Sequence, residues 1–207
     1  MGEMLVFNER KTIAKGLNHS ALPDEKKILG YIFYKEYENL SLLKDIKLPM
    51  KDNPALFYPG CGADILFPLK YLEIFPKLTK IDFIFNDVED NLGLIKTILD
   101  DIGISFLEKE QSLKFYWNNI LVNLQFIIGN VFAMDLPEFD IYFERAFRIM
   151  KSYHPKYEID LFNKLNDQGV LISDSGFENI FKSFNSLKVS PELSTYKEMI
   201  IGIKQLR

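Results

Sequence analysis

The chain has 207 residues, a formal net charge of −4, 47% hydrophobic residues and 26% charged residues. This length and composition are typical of one folded domain and exclude an intrinsically disordered chain. The acidic balance lacks the positive field that supplies most non-specific affinity for nucleic acid, so no nucleic-acid partner is expected. The sequence therefore predicts a single globular domain over residues 1–207.

Cysteine and histidine are scarce in this chain. Cys61 is the single cysteine, so no intramolecular disulfide can form, and the two histidines, His19 and His154, are too few for a Cys/His zinc site. No apolar run approaches the roughly 20 residues of a membrane span, and charged residues interrupt residues 1–15 where a signal peptide would be apolar. We expect a cytoplasmic protein with no metal and no membrane partner. The sequence indicates no oligomeric state.

The first 50 residues have a helical pattern. Ile28, Ile32 and Leu40 fall on one apolar stripe, and Pro23 and Asp24 suit a helix start. We therefore predict a helical N-terminal extension over residues 1–50, followed by a core over residues 51–207.

Strands and helices alternate from residue 53 onward, and this alternation is typical of a parallel sheet. The predicted elements are strand 55–58, helix 66–75, strand 81–86, helix 92–102, hairpin 114–128, strand 139–143, helix 155–166 closed by Gly169, strand 170–173 and strand 199–203. The fold class is α/β, with a mostly parallel twisted sheet and helices on both faces. The hairpin turns at Asn118-Asn119 and is interpreted as an insertion whose aromatics, Phe115, Tyr116 and Trp117, form an exposed partner surface.

A glycine-bearing turn joins the first predicted strand to the next helix. Gly60 and Gly62 permit positive φ and close approach of a ligand to the backbone. Asp87 directly follows the second strand, and parallel strand ends lie side by side, so its carboxylate can accept the hydroxyl protons of a ribose at this turn. Two alternatives stay open: the glycines only make a tight turn, and Asp87 only caps the following helix.

These features resemble the class I S-adenosylmethionine-dependent methyltransferases over residues 53–203. In that family the glycine-rich turn after strand one binds S-adenosylmethionine, and the acid after strand two holds its ribose. The resemblance therefore implies a Rossmann-like core and this cofactor. It assigns to cofactor contact the residues Tyr58, Gly60, Cys61, Gly62, Asp64 and Asp87.

A second stretch carries the same resemblance. Gly129-Asn130-Val131 is similar to the family's segment after strand three, which contacts adenine. Asn130 stands where the family usually has aspartate, and its amide oxygen can accept a hydrogen bond from the adenine amino group. Glu144 and Asp174 each end or follow a later strand. The resemblance thus implies Asn130 and Val131 as further cofactor contacts. Their positions past strand ends on the expected ligand side make Glu144 and Asp174 candidates for contacting a substrate, and Glu144 is also counted with the cofactor-binding residues.

Two residues of the turn depart from the family's pattern. Tyr58 replaces the usual acid, and Asp64 replaces the third glycine. A carboxylate at a helix N-terminus is stabilised by about 0.3–1 kcal/mol; it suits an ammonium or sulfonium and repels a phosphate. Asp64 therefore disfavours a nicotinamide dinucleotide. We also expect Asp64→Asn to change cofactor affinity more than folding.

Other candidate residues are interpreted as residues without a catalytic role. Cys61 lies at a helix start but has no histidine near it in sequence to act as a base, which disfavours a nucleophile. His154 is interpreted as a cap or surface residue, and Arg145 and Arg148 as residues that solvate a helix. The sequence identifies no catalytic residue. It predicts a methyltransferase acting on a small molecule, with a non-catalytic ligand-binding or interaction protein of the same fold as the alternative.

Overall fold

The structure is a computed structural model that describes residues 4–177, 183–194 and 196–205. The helices are α1 (Glu25–Ile28), α2 (Tyr34–Asn39), α3 (Leu66–Tyr71), α4 (Leu92–Asp101), α5 (Arg148–Ser152) and α6 (Tyr157–Lys164). The strands are β1 (Ala55–Pro59), β2 (Lys80–Asp87), β3 (Phe106–Lys109), β4 (Ser112–Trp117), β5 (Ile120–Ile128), β6 (Phe139–Glu144), β7 (Leu165–Ser173), β8 (Phe184–Ser186) and β9 (Ile200–Lys204). All nine described strands belong to one sheet.

The sheet is parallel at its centre and antiparallel at both ends. Its order is β3-β4-β5-β2-β1-β6-β7-β9-β8, and the five strands from β5 to β7 are parallel. β4 and β3 extend one end in antiparallel pairing, and β9 extends the other. The chain moves outward from β1 to β2 and β5 and then returns to β6 on the other side of β1. The topological switch point is therefore the gap between the carboxyl ends of β1 and β6, and open α/β sheets bind ligands at such a point.

Alternate residues of β1 enter two separate cores. Leu56 and Tyr58 pack in the cluster that contains Leu69 of α3 and Ile98 of α4. Phe57 packs in the second cluster with Leu161 of α6. Because successive strand residues point to opposite faces, helices cover both faces of the sheet, as predicted from the sequence.

The predicted hairpin is present, but its aromatic surface is not. Its turn residues, Asn118 and Asn119, have φ values of 47° and 67°, and β4 extends the sheet beyond β5 without replacing a parallel strand. Phe115 and Trp117 are buried, and only Tyr116 is partly exposed. The prediction of an exposed aromatic surface was wrong because alternate residues of β4 point into the main core.

The N-terminal segment is less helical than predicted. Residues 4–24 form neither helix nor strand, and only α1, α2 and a 3₁₀ turn at Leu40–Asp45 are helical. Ile28 and Ile32 are buried as the stripe required, but Gly30 lies between them and the helix ends there. The apolar spacing therefore located the buried positions and overstated the length of the helix, since glycine disfavours a continuous helix by about 1 kcal/mol.

The predicted helix end at Gly169 was also wrong. Helix α6 ends at Lys164, and β7 begins at once with Leu165, which pairs with Phe139. The register then shifts before Val170, and Gln168 in this irregular stretch has φ 60°. Sheet pairing thus overrides the local signal of the glycine.

Candidate functional site

The glycine turn after β1 has one covered glycine and one open glycine. Gly60 has φ 59° and Gly62 has φ 52°. A Cβ atom on Gly60 would lie 2.6 Å from the ring of Phe147, whereas a Cβ atom on Gly62 would meet nothing within 4 Å. Both positions need glycine for their backbone conformation. Only Gly62 leaves space in which a ligand could approach the backbone.

Asp87 lies beside this open glycine, at the end of β2. Its Oδ2 accepts the Gly62 N–H at 2.8 Å, and its Oδ1 accepts the Glu89 N–H at 3.2 Å. The residue before helix α4 is Asn91, so Asp87 does not cap that helix. The structure therefore places the Asp87 carboxylate against the Gly62 backbone, whereas Gly60, Gly62 and Asp87 are not among the residues that line the crevice described below. The role of Asp87 toward a ribose stays a prediction.

Asp64 forms hydrogen bonds and an ion pair within the protein. Its Oδ1 accepts the Phe67 N–H at 3.2 Å, and its Oδ2 accepts the Tyr58 hydroxyl at 2.9 Å and Arg145 Nη1 at 3.1 Å. Tyr58 is buried, and this burial together with Asp64 raises its pKa well above the usual value. Tyr58 is thus a neutral donor to Asp64. The Asp64 charge is balanced by Arg145 before any ligand binds.

Arg145 is the residue that sequence reasoning missed. It lies in the turn after β6, before α5 begins at Arg148, so the interpretation that it solvates a helix was wrong. Its guanidinium stacks 3.2 Å from the centroid of the Phe67 ring and donates to Glu36 Oε1 at 3.2 Å. Its Nε lies 3.8 Å from Asp174 Oδ2. The only sequence signal was its position directly after a buried strand.

Arg145 keeps its positive charge in this cluster. Burial alone lowers its pKa, but Asp64 and the neighbouring acids outweigh that effect and raise the pKa above the ordinary value. Arg145 therefore remains cationic and joins the glycine turn, helix α2 and the loop after β7 into one charged cluster.

Glu144 is enclosed in the interior of the protein. Its carboxylate accepts Lys151 Nζ at 2.6 Å, the Ser173 hydroxyl at 2.6 Å and the Tyr142 hydroxyl at 2.7 Å. Burial raises the pKa of Glu144, and the Lys151 ammonium opposes that shift. This placement corrects the expectation of a ligand contact, because the side chain has no exposed surface and its acceptors are used internally.

Asp174, the acid that directly follows β7, borders the site. Its Oδ1 accepts the Ala146 N–H and the Ser175 hydroxyl, each at 2.8 Å. It is buried except where it lines a crevice at the carboxyl edge of the sheet. Asp174 thus fixes the turn that carries Arg145.

The segment predicted to contact adenine lies next to the end of β2. Asn130 is exposed, and its Oδ1 accepts the Phe132 N–H at 3.0 Å, whereas Val131 is buried. Buried Asn86 donates to the carbonyls of Ile127 and Gly129, at 3.0 Å each. Asn86 therefore fixes this segment against β2, a role that the sequence did not reveal. The adenine contact itself stays a prediction.

A crevice of 410 Å³ opens at the switch point. Aromatic and apolar side chains form most of its wall, and Glu36, Asp64, Arg145 and Asp174 are its charged members. The aromatic and apolar wall residues include Leu5, Phe7, Tyr31, Ile32, Phe33, Phe67 and Tyr196. This volume is within the range of small-molecule sites, and the mixture of apolar wall with few polar groups is typical of them.

Cys61 and His154 do not form a nucleophile and base. Cys61 is buried, and this burial raises the pKa of its thiol far above the ordinary value, which opposes thiolate formation. His154 is exposed and stacks on the ring of Phe132, with 3.8 Å between centroids. Within residues 4–177, 183–194 and 196–205, no group of three or more His, Cys, Asp or Glu side chains could hold a metal ion. The helices of this same described part include none long and apolar enough to span a membrane.

Comparison with known proteins shows the fold. No family model matches the chain, and no curated protein matches its sequence. The O-methyltransferase family 2 protein from Planctomyces limnophilus, solved in complex with apigenin, is 11% identical with a TM-score of 0.54, covering 89% of this chain and 62% of that one. This similarity defines the class: the chain has a methyltransferase-like Rossmann fold, as the sequence predicted.

Two other solved structures align more loosely. An RNA methyltransferase from Salinibacter ruber, in complex with S-adenosyl-L-homocysteine, is 10% identical with a TM-score of 0.42, covering 82% of this chain and 90% of that one. The YcgJ protein from Bacillus subtilis is 16% identical with a TM-score of 0.40, covering 66% of this chain and 50% of that one. The chain spans between 48% and 62% of the length of three of the solved structures that it matches.

Proposed function

We propose that this protein is an S-adenosylmethionine-dependent methyltransferase that acts on a small, largely apolar molecule. One observation carries the proposal: the Asp87 carboxylate at the end of β2 binds the backbone of the open Gly62 turn, and the turn residues Cys61, Ala63 and Asp64 on either side of Gly62 line the 410 Å³ crevice. The apolar wall and the net charge of −4 favour a small molecule over nucleic acid as the acceptor.

The residues beside Gly62 suit an adenosyl group. Asp87 uses one acceptor site of each carboxylate oxygen for a backbone N–H, so further acceptor sites remain for the hydroxyls of a ribose. The space over Gly62 permits a ligand to reach the backbone. Asp64 is a weaker partner for the cationic end of the cofactor than the sequence suggested, because Arg145 already pairs with it.

The site supports methyl transfer that depends mainly on how the acceptor is positioned relative to the cofactor. When bound, S-adenosylmethionine supplies an activated methyl group on its sulfonium. The crevice wall would orient the acceptor and exclude water, and such transfer gains most from proximity. Glu36, Asp64 and Asp174 are all within 4 Å of Arg145, so a strong general base among these acids is not expected.

One observation favours a second candidate, a non-catalytic ligand-binding or interaction protein of the same fold. The ring of Phe147 packs directly on Gly60, and the Tyr58–Asp64–Arg145 network closes the turn from the other side. Together these contacts fill part of the space that the sequence assigned to a cofactor. A protein that kept the fold and lost the reaction would show this arrangement.

Calorimetric titration with S-adenosylmethionine and S-adenosylhomocysteine tests the first proposal, with NAD and NADP as comparison ligands. We expect binding of the first two and none of the dinucleotides. Asp87→Asn should weaken binding by about 10- to 100-fold, because hydrogen bonds to a charged group contribute about 1.5–3 kcal/mol. Glu89→Gln is the matched control, with the same change of charge two residues away, and should alter affinity less than twofold. Absence of binding by the unmutated protein would favour the second candidate.

A further inference from the structure

Helix α2 borders the crevice through Glu36, and its partly buried Tyr37 packs against the surface of the main core. The helix contributes no fully buried side chain, whereas α3, α4 and α6 each bury several apolar residues. The buried residues that flank it are Ile32 before the helix and Leu40 after it. Segments with few buried apolar contacts open at low free-energy cost. Helix α2 is therefore a movable element between two fixed points.

Polar contacts hold α2 in place. Glu36 pairs with Arg145 at 3.2 Å, and Asn39 Nδ2 donates to the Glu192 carbonyl at 2.7 Å. The Tyr37 hydroxyl donates to Glu25 of α1. Among the contacts that α2 makes with residues of the described part of the chain, the pair of Glu36 with Arg145 reaches the charged cluster of the candidate site, so we take this pair as the link between the helix and the crevice.

Glu36 borders two cavities, the crevice of 410 Å³ and a second cavity of 190 Å³. Both are also lined by Phe67, on whose ring Arg145 stacks. Leu193 and Lys197 line the second cavity alone. A movement of Glu36 away from Arg145 would therefore change the wall of both spaces.

We propose that helix α2 is a gate, latched by the Glu36–Arg145 pair, which opens to admit a ligand to the crevice and then closes over it. The gate follows from the contacts above, and the identity of the ligand rests on the proposed function. Both side chains of the latch reach water, at 27% and 23% exposed, so opening the pair leaves no charge enclosed without solvent. Arg145 also keeps Asp64 as a partner when Glu36 moves away.

Hydrogen exchange of the α2 amides tests the latch without any ligand. In the Glu36→Gln variant, the hydrogen-bonded amides of residues 37–40 should exchange about 3- to 5-fold faster than in the unmutated protein, while the α4 amides stay unchanged. Glu38→Gln is the matched control, because Glu38 lies on the same helix and contacts Tyr34 within it. Equal exchange in the two variants overturns the latch.

Binding kinetics of S-adenosylhomocysteine, followed by surface plasmon resonance, test the entry role. Glu36→Gln should raise the association and dissociation rates by a similar factor of about 3 to 5 and leave the Kd within twofold, since a latch changes access more than the bound state. Faster α2 exchange with unchanged rates would overturn the entry role. If the unmutated protein binds no S-adenosylhomocysteine, the proposed function fails, and the exchange result alone decides on the gate.

Discussion

Two acids at the ends of parallel strands lie in opposite environments in this protein. Asp87 ends β2 and Glu144 ends β6, and both strands are parallel members of the sheet centre. The sequence assigned both to ligand contact, on the pattern of an acid after a buried strand. Asp87 is half-buried beside the open glycine, whereas Glu144 is enclosed by Lys151, Ser173 and Tyr142.

The difference lies in what packs above each strand end. An exposed loop follows Asp87, so its carboxylate meets only two backbone N–H groups and solvent. Lys151 of α5 folds back over Glu144, and Ser173 lies opposite it in the β6–β7 register. An acid at a strand end therefore stays open to a ligand only where no later element covers it.

Removing the partner of the enclosed acid should give the largest effect. Lys151→Met leaves Glu144 buried without its cation and should lower the free energy of unfolding by about 3–5 kcal/mol. Urea denaturation at pH 7 measures this change. Lys156→Met is the control, because Lys156 is exposed, and should change stability by less than about 0.5 kcal/mol. A double variant, Glu144→Gln with Lys151→Met, should recover much of the loss; equal loss in the double variant would show that the pair is not coupled.

The two glycines of the turn should differ in the same assay. Gly60→Ala forces a Cβ atom into the Phe147 ring in addition to the cost of positive φ, so it should destabilise by about 2–4 kcal/mol. Gly62→Ala incurs the φ cost alone, about 1–2 kcal/mol. Indistinguishable values would contradict the close contact between Gly60 and Phe147.

The pH dependence of the Lys151→Met variant should identify Glu144 as the group left without a partner. Burial raises the pKa of Glu144, so the folded state takes up this proton before the unfolded state does. Stability should therefore rise as pH falls from 7 to 5, by up to about 2 kcal/mol, toward the unfolded pKa near 4.3. Urea denaturation at several pH values measures the slope. The double variant with Glu144→Gln lacks this carboxylate and should show a smaller rise, since the second acid near Lys151, Glu158 at 3.4 Å, loses its contact with Lys151 in both variants.

Asp64 at the open edge should have a smaller and mainly structural effect. Asp64→Ala loses its bonds to Phe67 N–H and Arg145 and should lower stability by about 0.5–2 kcal/mol, while affinity for S-adenosylhomocysteine changes less than threefold. Asp64→Asn should lie between the unmutated protein and this variant. The contacts thus favour the reverse of the balance that the sequence suggested. Denaturant melts beside calorimetric titration decide it, and a large loss of affinity with unchanged stability would restore the cofactor role.

The order of the elements, the glycine turn and its pairing with Asp87 were predictable from the sequence. Apolar runs, glycine positions and turn asparagines act through a few neighbouring residues, so they can be recognised along the chain. The predicted hairpin over residues 114–128 corresponds to β4 and β5, which end at Ile128, and the Asn118-Asn119 turn has the predicted backbone. The N-terminal helix length and the end at Gly169 failed where packing or sheet pairing overrode a local preference.

Only the tertiary structure decided which polar residues face the crevice. Arg145 meets Glu36, Asp64 and Asp174 from three separate parts of the chain, and Glu144 meets Lys151 and Ser173 in the interior. No local pattern specifies such contacts, because the energy of a charged group depends on partners brought together by folding and on its distance from water. The sequence by itself determined the sheet and the place of the site at its carboxyl edge; folding determined which of the acids there remain open to a ligand.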